Sequence, residues 1–338
     1  MKALYYPAFD QLEIRDEPRP EALAGEVLLR VAACGLCGSE LESFKNHSPR
    51  RPPPLIMGHE FCGVVESVGP GGDRGLVGRR FVSNSVISCG RCVRCQRGDT
   101  HLCPGRQIFG MHRPGAFAEF VRVPVPVLIP WPDKLPAQAA CLAEPLANGV
   151  HVVNLTRHLP VQTALIIGAG PIGLMCQQAL QVMRGSRTMV CDLSAGRLEI
   201  ARQLGATQVI CSKTEDVVAA VRSWTDGEGV DLVVDAAGSA TTKRLSLEAL
   251  RPGGAAVWIG LHGNAMEFES YGVTLPEKQI LGTYAAKIEE LAEALQLMQA
   301  GRVDVLSWTE TVPLAQAVPA FHRMLNPGDR DLKAVFVP

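Results

Sequence analysis

Two cysteines near the start of the chain are spaced for redox or metal chemistry. Cys34 and Cys37 stand as C-x-x-C in "VAACGLCGSELESF". Such a pair can be a redox dithiol, part of a metal site, or one reactive thiol beside an idle one, and spacing alone leaves all three interpretations open. A redox dithiol is disfavoured because no thioredoxin-like βαβ pattern surrounds the pair.

A second cysteine motif predicts a closed metal site. The stretch "CGRCVRCQRGDTHLC" supplies four thiols on one short loop. Four thiolates suit a tetrahedral Zn²⁺ without an open coordination position, which stabilises structure and does no chemistry. Iron–sulfur clusters use related spacings, so iron stays an alternative. The predicted ligands are Cys89, Cys92, Cys95 and Cys103.

Two further motifs carry a histidine and carboxylates. "IMGHEFCGVVESVG" contributes His59 and Glu60, and "LAEPLANGVHVV" contributes Glu144. Imidazole nitrogen and carboxylate oxygen join thiolate sulfur as the common protein ligands of zinc.

A glycine-rich stretch, "LIIGAGPIG", has the spacing G-x-G-x-x-G between a predicted strand and a predicted helix. This pattern gives a tight turn and a close approach of backbone and helix N-terminus to a pyrophosphate. About twenty residues later, Asp192 ends the next strand, where a carboxylate binds the ribose 2′-OH and favours NAD. Arg197 lies close enough to meet a 2′-phosphate, so NADP remains an alternative. The predicted cofactor-binding residues are Gly168, Gly170, Pro171, Ile172, Gly173, Asp192 and Arg197.

Two kinds of pattern must position these residues. The first part of the chain is β-rich, with runs such as "KALYY", "EVLLRVAAC" and "CGVVESVG" separated by Pro, Gly and Asp. From Thr163 onward, strands such as "ALIIGAG" and "TMVCDL" alternate with helices such as "PIGLMCQQALQVMR", which predicts a doubly wound parallel sheet. The later helix "IEELAEALQLMQAG" and the tail "KAVFVP" are expected to return to the first domain.

Length and composition limit the classes of function. A chain of 338 residues favours two domains, and 47% hydrophobic with 20% charged residues is typical of globular proteins. A net charge of −1 argues against binding to nucleic acid or an anionic membrane. We find no signal peptide and no apolar run of about 20 residues that could span a bilayer. The sequence therefore predicts a cytoplasmic protein, in which the eleven cysteines are expected to be reduced.

The order of these motifs resembles that of the medium-chain zinc-dependent alcohol dehydrogenases, along essentially the whole chain. The resemblance is carried by "CGLCGS", "GHEFCGVVESVG", the four-cysteine loop, "EPLA" and "LIIGAGPIGL". Glutamate in "EPL", where the alcohol dehydrogenases proper have cysteine, resembles the polyol branch of sorbitol, threonine and galactitol-phosphate dehydrogenases. The resemblance implies an α/β protein with a GroES-like β-rich catalytic domain (1–150 completed by 286–338) and a Rossmann NAD-binding domain (151–285).

The resemblance also assigns metal ligands. Cys37, His59, Glu60 and Glu144 match the positions around the family's catalytic zinc, where the carboxylates share coordination with water. With the four-cysteine loop, this implies two Zn²⁺ ions per chain, one catalytic and one structural. Cys34 matches no ligand position and is expected to be a small buried residue.

A proton path follows from the same resemblance. Ser39 matches the family hydroxyl that receives the proton of the alcohol. Glu42 stands where many relatives have the histidine that ends the relay. Glu42 is then the terminal base, or the proton leaves through ribose and water and Glu42 is a solvated surface acid.

The implied reaction is hydride transfer between NAD(H) and a secondary alcohol, such as a polyol, a sugar alcohol or its phosphate, or a cyclitol. Ala285 and Ala286 follow "ILGTY", where sorbitol-type relatives have polar residues, so no particular polyol is implied. A homodimer or homotetramer is expected. One alternative is a non-catalytic nucleotide-sensing protein on the same fold; another, a zinc-ribbon nucleic-acid binder, is disfavoured by the near-neutral charge.

Overall fold

The computed structural model describes residues 1–338. The strands are β1 Lys2–Tyr6, β2 Glu13–Asp16, β3 Glu26–Gly35, β4 Leu55–Ile56, β5 Glu60–Val68, β6 Arg80–Ser83, β7 Val86–Ile87, β8 Gln107–Ile108, β9 Phe120–Pro124, β10 Leu128–Pro130, β11 Thr163–Ile167, β12 Arg187–Asp192, β13 Gln208–Cys211, β14 Val230–Asp235, β15 Leu250–Trp258, β16 Gln279–Gly282, β17 Thr309–Pro313 and β18 Lys333–Val337.

The α-helices are α1 Gly38–Lys45, α2 Val93–Gln96, α3 Ala137–Ala140, α4 Ala143–Leu155, α5 Pro171–Arg184, α6 Ala195–Gln203, α7 Val217–Trp224, α8 Ala240–Glu248, α9 Tyr271–Thr274, α10 Ile288–Gln299 and α11 Ala317–Leu325. None of them combines the length and the hydropathy needed to cross a membrane.

The first compact unit combines both ends of the chain, residues 1–147 and 286–338. Its main sheet has seven strands in the order β10-β6-β5-β3-β18-β17, with β9 also paired to β3. The C-terminal strand β18 lies antiparallel to β3, with Phe336 opposite Cys34. Strand β3 is long and mostly apolar because it is hydrogen-bonded in the middle of this sheet and buries its side chains in the core.

The second compact unit spans residues 148–285. Six strands form a sheet in the order β13-β12-β11-β14-β15-β16, and every neighbouring pair is parallel. Strand β11 reads as a continuous apolar run because a parallel sheet is covered by helices on both faces. The predicted doubly wound sheet is confirmed, and the strand order reverses between β11 and β14, where such folds bind ligands.

Two helical segments contribute to the first metal centre. The stretch "LPAQAACLAEPLANGVHVVN" forms α3 and α4, which are separated by a turn at Cys141 and Leu142. Helix α1 was not predicted from the sequence. It has only eight residues, and its N-cap is Cys37 rather than one of the usual Ser, Thr, Asp or Asn residues.

Candidate metal centres and cofactor cradle

Helix α1 begins directly after Cys37 and fixes the position of this thiol. The Cys37 Sγ accepts a hydrogen bond from the N–H of Ser39 at 3.4 Å. In return, the N–H of Cys37 donates to Glu40 Oε2 at 3.0 Å, which completes a capping box. The same contacts that start the helix therefore hold a candidate metal ligand in place.

The Glu40 carboxylate is fully buried and also orients His59. Its Oε1 lies 2.9 Å from His59 Nδ1 and accepts the N–H of Gly58 at 2.8 Å. With Nδ1 bound to Glu40, the imidazole presents Nε2 toward Cys37, with which His59 also hydrogen-bonds. A carboxylate behind a histidine is the usual means of fixing the tautomer and orientation of a metal ligand.

Neighbouring charges affect the pKa of His59 more strongly than its burial does. Burial opposes the charged imidazolium, but the negative charges of Glu40 and Cys37 outweigh burial and hold the pKa of His59 well above its ordinary value. For Glu40, burial acts to raise the pKa, while the charge of His59 and its hydrogen bond lower it, and the net pKa is lowered. The attraction between the two groups therefore shifts their pKa values in opposite directions.

Glu60, at the start of β5, is buried beside a buried lysine. Lys333 on β18 forms an ion pair with the Glu60 carboxylate and donates to the Leu36 carbonyl at 2.9 Å. Burial acts to lower the pKa of Lys333, but the charges of Glu60 and Cys37 raise it above its ordinary value. Gly35 makes room for this pair, because a Cβ there would lie 2.2 Å from Glu60 Oε2 and 3.2 Å from Lys333 Cε.

Cys37, His59 and Glu60 converge in a group suited to a metal ion. One ligand atom from each residue lies within 4.8 Å of the others. Thiolate, imidazole and carboxylate are all zinc ligands, so this donor set fits Zn²⁺. Three protein ligands leave a position open in a tetrahedral ion, which is the arrangement of catalytic zinc sites.

Glu144 does not belong to this compact group, although it is close enough to interact with it. It lies in the first turn of α4, and its side chain hydrogen-bonds Ser85. Burial raises the pKa of Glu144, and the charge of Glu60 adds to this effect, while His59 and Ser85 oppose it. The structure therefore places this predicted ligand beside the other three and not among them.

The two predicted relay residues lie on α1. Ser39 is exposed two residues after Cys37, and Glu42 is exposed one turn further along the helix. Glu42 Oε1 accepts a hydrogen bond from Asn46 Nδ2 at 2.5 Å. The structure thus puts both groups on one short helix and records no hydrogen bond between them.

The four-cysteine loop forms a second candidate metal centre. Its Cys92 Sγ lies 3.4 Å from Cys95 Sγ and 3.8 Å from Cys103 Sγ, and Cys89 Sγ lies 3.9 Å from Cys95 Sγ. Zn–S bonds of about 2.3 Å in a tetrahedron require sulfur atoms about 3.8 Å apart. The geometry of the loop therefore fits a closed tetrathiolate zinc.

Backbone groups prepare this loop for a metal. The N–H groups of Arg91 and Cys92 bond to Cys89 and lower the pKa of its thiol to about 6. At the other side of the loop, Asp99 forms an ion pair with Lys287 at 3.2 Å, just before α10. The loop is thus anchored to the segment that precedes this helix.

The glycine-rich turn of the second unit forms an open cradle between β11 and α5. Gly168 has φ +99°, and a Cβ on Gly173 would lie 1.8 Å from the Gly168 carbonyl oxygen. Gly170 is the N-cap of α5, Pro171 and Ile172 open the helix, and a Cβ on Gly170 would meet nothing within 4 Å. The open space before a helix N-terminus fits the pyrophosphate of a dinucleotide.

Asp192 lies at the end of β12, next to this cradle. Its Oδ2 accepts the N–H of Ala169 at 2.7 Å, and its Oδ1 accepts the N–H of Ser194 at 2.8 Å. These bonds hold the carboxylate at the place where a ribose hydroxyl would be bound. Arg197 follows in the first turn of α6, where its N–H donates to the Ser194 hydroxyl.

Three residues that shape the first metal centre were not predicted from the sequence: Glu40, Lys333 and Ser85. Glu40 could have been found, because it stands three residues after the N-cap position where capping boxes have an acidic or amide residue. For Lys333 the only signal is a lysine at the start of an apolar C-terminal strand. Nothing in the sequence indicates that Ser85 meets Glu144.

Two family models match the chain. The alcohol dehydrogenase GroES-like domain matches residues 23–133, and the zinc-binding dehydrogenase model matches residues 171–300. The first range includes most of the predicted metal ligands, and the second includes the glycine-rich cradle from Pro171 onward.

Named relatives cover nearly the whole chain. D-arabitol-phosphate dehydrogenase of Enterococcus avium is 31% identical over 95% of this chain and 92% of its own length. Sorbitol dehydrogenase of Bacillus subtilis is 30% identical over 100% of this chain and 97% of its own. A zinc-binding dehydrogenase from Sinorhizobium meliloti, solved bound to NADP, superimposes with a TM-score of 0.92 at 30% identity, covering 100% of this chain and 99% of that one.

Proposed function

We propose that this chain, which belongs to the family of zinc-dependent medium-chain alcohol dehydrogenases, transfers a hydride between NAD(H) and a secondary alcohol. The proposed substrate is a polyol, a sugar alcohol, a sugar-alcohol phosphate or a cyclitol. The convergence of Cys37, His59 and Glu60 carries the proposal, since this donor set leaves a metal position open. We assign the catalytic GroES-like domain to residues 1–150 with 286–338, and the NAD-binding Rossmann domain to residues 151–285.

The proposed catalytic zinc is held by Cys37 and His59, and Glu60 and Glu144 are proposed to share its remaining positions with water or substrate. When bound, zinc acts as a Lewis acid that makes an alcohol easier to deprotonate. The protein prepares the site, because Glu40 holds His59 with Nε2 directed inward and Lys333 holds Glu60 by an ion pair. Carboxylates are harder ligands than thiolate, so Glu60 and Glu144 are suited to exchange with water or substrate.

The second proposed zinc is structural and is held by Cys89, Cys92, Cys95 and Cys103. The sulfur–sulfur distances of 3.4 to 3.9 Å support a closed tetrahedral site.

All eleven cysteines are free thiols, which supports a reducing, cytoplasmic location.

The alcohol proton needs an acceptor, and we propose Ser39 for this role. Its place two residues after Cys37, the N-cap of α1, supports the assignment. Beyond Ser39, the exposed Glu42 is proposed to receive the proton and pass it to water. Its bond to Asn46 holds the carboxylate close to the helix.

The cofactor is proposed to be NAD, held by Gly168, Gly170, Pro171, Ile172 and Gly173, with Asp192 on the ribose and Arg197 nearby. A relative bound to NADP makes this preference worth testing.

Asp192→Ala should reduce the NAD⁺ over NADP⁺ preference about tenfold, chiefly by raising KM for NAD⁺. Steady-state kinetics with both cofactors would measure this, and a wild type that turns over NADP⁺ as well as NAD⁺ would refute the role of Asp192.

The substrate class rests on relatives that act on a polyol and a polyol phosphate. The decisive experiment is a screen of polyols, polyol phosphates and cyclitols with NAD⁺, monitored by NADH absorbance. We expect turnover with a secondary alcohol of this class, and its absence after zinc removal. Failure of every such alcohol with zinc-loaded protein would overturn the proposal.

Assembly into a homodimer or homotetramer is also proposed. Tyr271 and Leu275, at the two ends of α9, are 76% and 79% exposed, and β16 is an edge strand of its sheet. Exposed apolar side chains and an unpaired strand edge both support a contact between copies. Analytical ultracentrifugation would establish the oligomeric state.

A further inference from the structure

Arg51 is a buried arginine for which the proposed chemistry has no use. Only 1% of its surface is exposed, and it is among the largest fully buried side chains of the chain. Burying a guanidinium is costly unless its N–H groups are bonded and its charge is compensated. Its contacts therefore have to account for its position.

The Arg51 guanidinium joins helix α1 to a loop distant in sequence. Its Nη1 donates to the Ser39 carbonyl at 2.7 Å and to the Ser43 hydroxyl at 3.1 Å, both on α1. Its Nε donates to the Gly110 carbonyl at 2.8 Å. These donors belong to one rigid planar group, so they fix the helix and the loop relative to each other.

The loop at Gly110 lies directly on the backbone that leads into His59. Gly110 has φ +65°, and a Cβ on it would lie 2.8 Å from the Gly58 nitrogen and 3.0 Å from Met57 Cα. On the other side, the Gly58 N–H is bonded to Glu40 of α1. The segments that carry Cys37 and His59 are therefore joined twice, by Glu40 and through the Arg51–Gly110 contact.

We propose that Arg51 is a positioning residue for the catalytic zinc, acting as a clamp that fixes α1 against the loop packed on Met57 and Gly58. The distance between Cys37 Sγ and the His59 imidazole then depends on a residue that touches neither of them. The inference rests on the proposed function, because it presumes that zinc binds between these two ligands.

Two substitutions of Arg51 and a neighbouring control separate the effect of its hydrogen bonds from the effect of its positive charge. Arg51→Met removes both the hydrogen bonds and the charge. Arg51→Lys keeps the charge, but a single ammonium cannot replace the planar fork that reaches both α1 and Gly110. Arg50 is exposed and adjacent, so Arg50→Met removes an arginine from the same segment without touching the clamp.

Zinc release from the purified, zinc-loaded protein into a chromogenic chelator tests the proposal. We expect wild type to release one ion quickly and one slowly. Arg51→Met should accelerate the fast phase about 10- to 100-fold, the range seen when residues supporting metal ligands are removed. Arg51→Lys should recover only part of this loss, whereas Arg50→Met and the slow phase should match wild type. Cobalt substitution should show an altered visible spectrum for Arg51→Met.

Each outcome decides the matter. If folded Arg51→Met protein released its zinc at the wild-type rate, the inference would be wrong but the proposed function would stand. Equal acceleration of the release of both zinc ions would also overturn the inference alone, because it indicates a general folding defect. If Arg51→Met does not fold, Ser43→Ala removes one clamp contact and should accelerate the fast phase about 2- to 5-fold; an unchanged rate would overturn the clamp. A wild type without a rapidly released zinc would instead refute the proposed function, and this inference with it.

Discussion

The two candidate metal centres belong to the same compact unit but are built in opposite ways. The cysteine centre takes all its ligands from one loop, from Cys89 to Cys103, and Cys89 is exposed. The other takes Cys37 from an N-cap, His59 from the residue before β5 and Glu60 from the start of that strand. The ion-pair partner of Glu60, Lys333, comes from the last strand. One centre is local and needs little from the fold, whereas the other exists only where distant segments meet.

This difference indicates what each centre can do. Four thiolates satisfy a zinc ion completely and compensate its charge, so the cysteine centre can only stabilise its loop. In the other centre, the protein supplies fewer soft ligands and surrounds them with the buried charges of Glu40 and Lys333. Such a surrounding network orients the ligands.

The largest effect should come from mild chelation of the wild type. The centre with an open position should lose its zinc first, and kcat should fall about a thousandfold with that ion because the Lewis acid is gone. Metal analysis at intervals, together with activity, would measure this. Loss of the cysteine-bound zinc before any activity is lost would reverse the assignment of the two centres.

Removing a cysteine ligand should mainly affect stability. Cys103 is fully buried, and Cys103→Ala should remove one zinc per chain and lower the Tm by about 5 to 15 °C. NADH binding, measured by fluorescence, should be unchanged because the cradle lies in the other unit. A variant that retains two zinc ions would show that the four thiols do not form a site.

Glu144→Ala tests whether a carboxylate outside the compact group still supports the metal. We expect kcat and zinc retention to fall about 10- to 100-fold, with NAD⁺ affinity unchanged. Ser85→Ala is the matched control, since it removes only the hydrogen-bond partner of Glu144 and should give a weaker effect in the same direction. Normal zinc content and kcat in Glu144→Ala would remove this residue from the site.

The smallest effect is expected for Cys34→Ser. Cys34 is buried, its Sγ contacts the Gly35 carbonyl, and it is not in either ligand group. Exchanging buried sulfur for hydroxyl should cost about 1 to 2 kcal/mol of unfolding free energy, while zinc content and kcat stay within a few-fold of wild type. If this variant alone emptied the catalytic centre, the C-x-x-C pair would be the metal clamp.

Hydrophobic patterning predicted the second unit well and the first unit only in part. Parallel strands such as β11 are short apolar runs flanked by helical patterns, and this periodicity is local. Helix α1 gave no such signal, because eight mixed residues after an unusual cysteine cap do not show a clear apolar stripe. It nevertheless carries Ser39, Glu40 and Glu42.

Spacing within short segments was enough to predict the ligand types, the four-cysteine loop and the glycine-rich turn, because it restricts their geometry directly. Long-range packing brings Lys333 to Glu60 and lets Arg51 join α1 to Gly110. Lys333 and Glu60 are 273 residues apart in the chain (333 − 60), and Arg51 and Gly110 are 59 residues apart (110 − 51). No local pattern links residues at such separations; the packing of β18 against β3, and of the Gly110 loop against Gly58, brings them together.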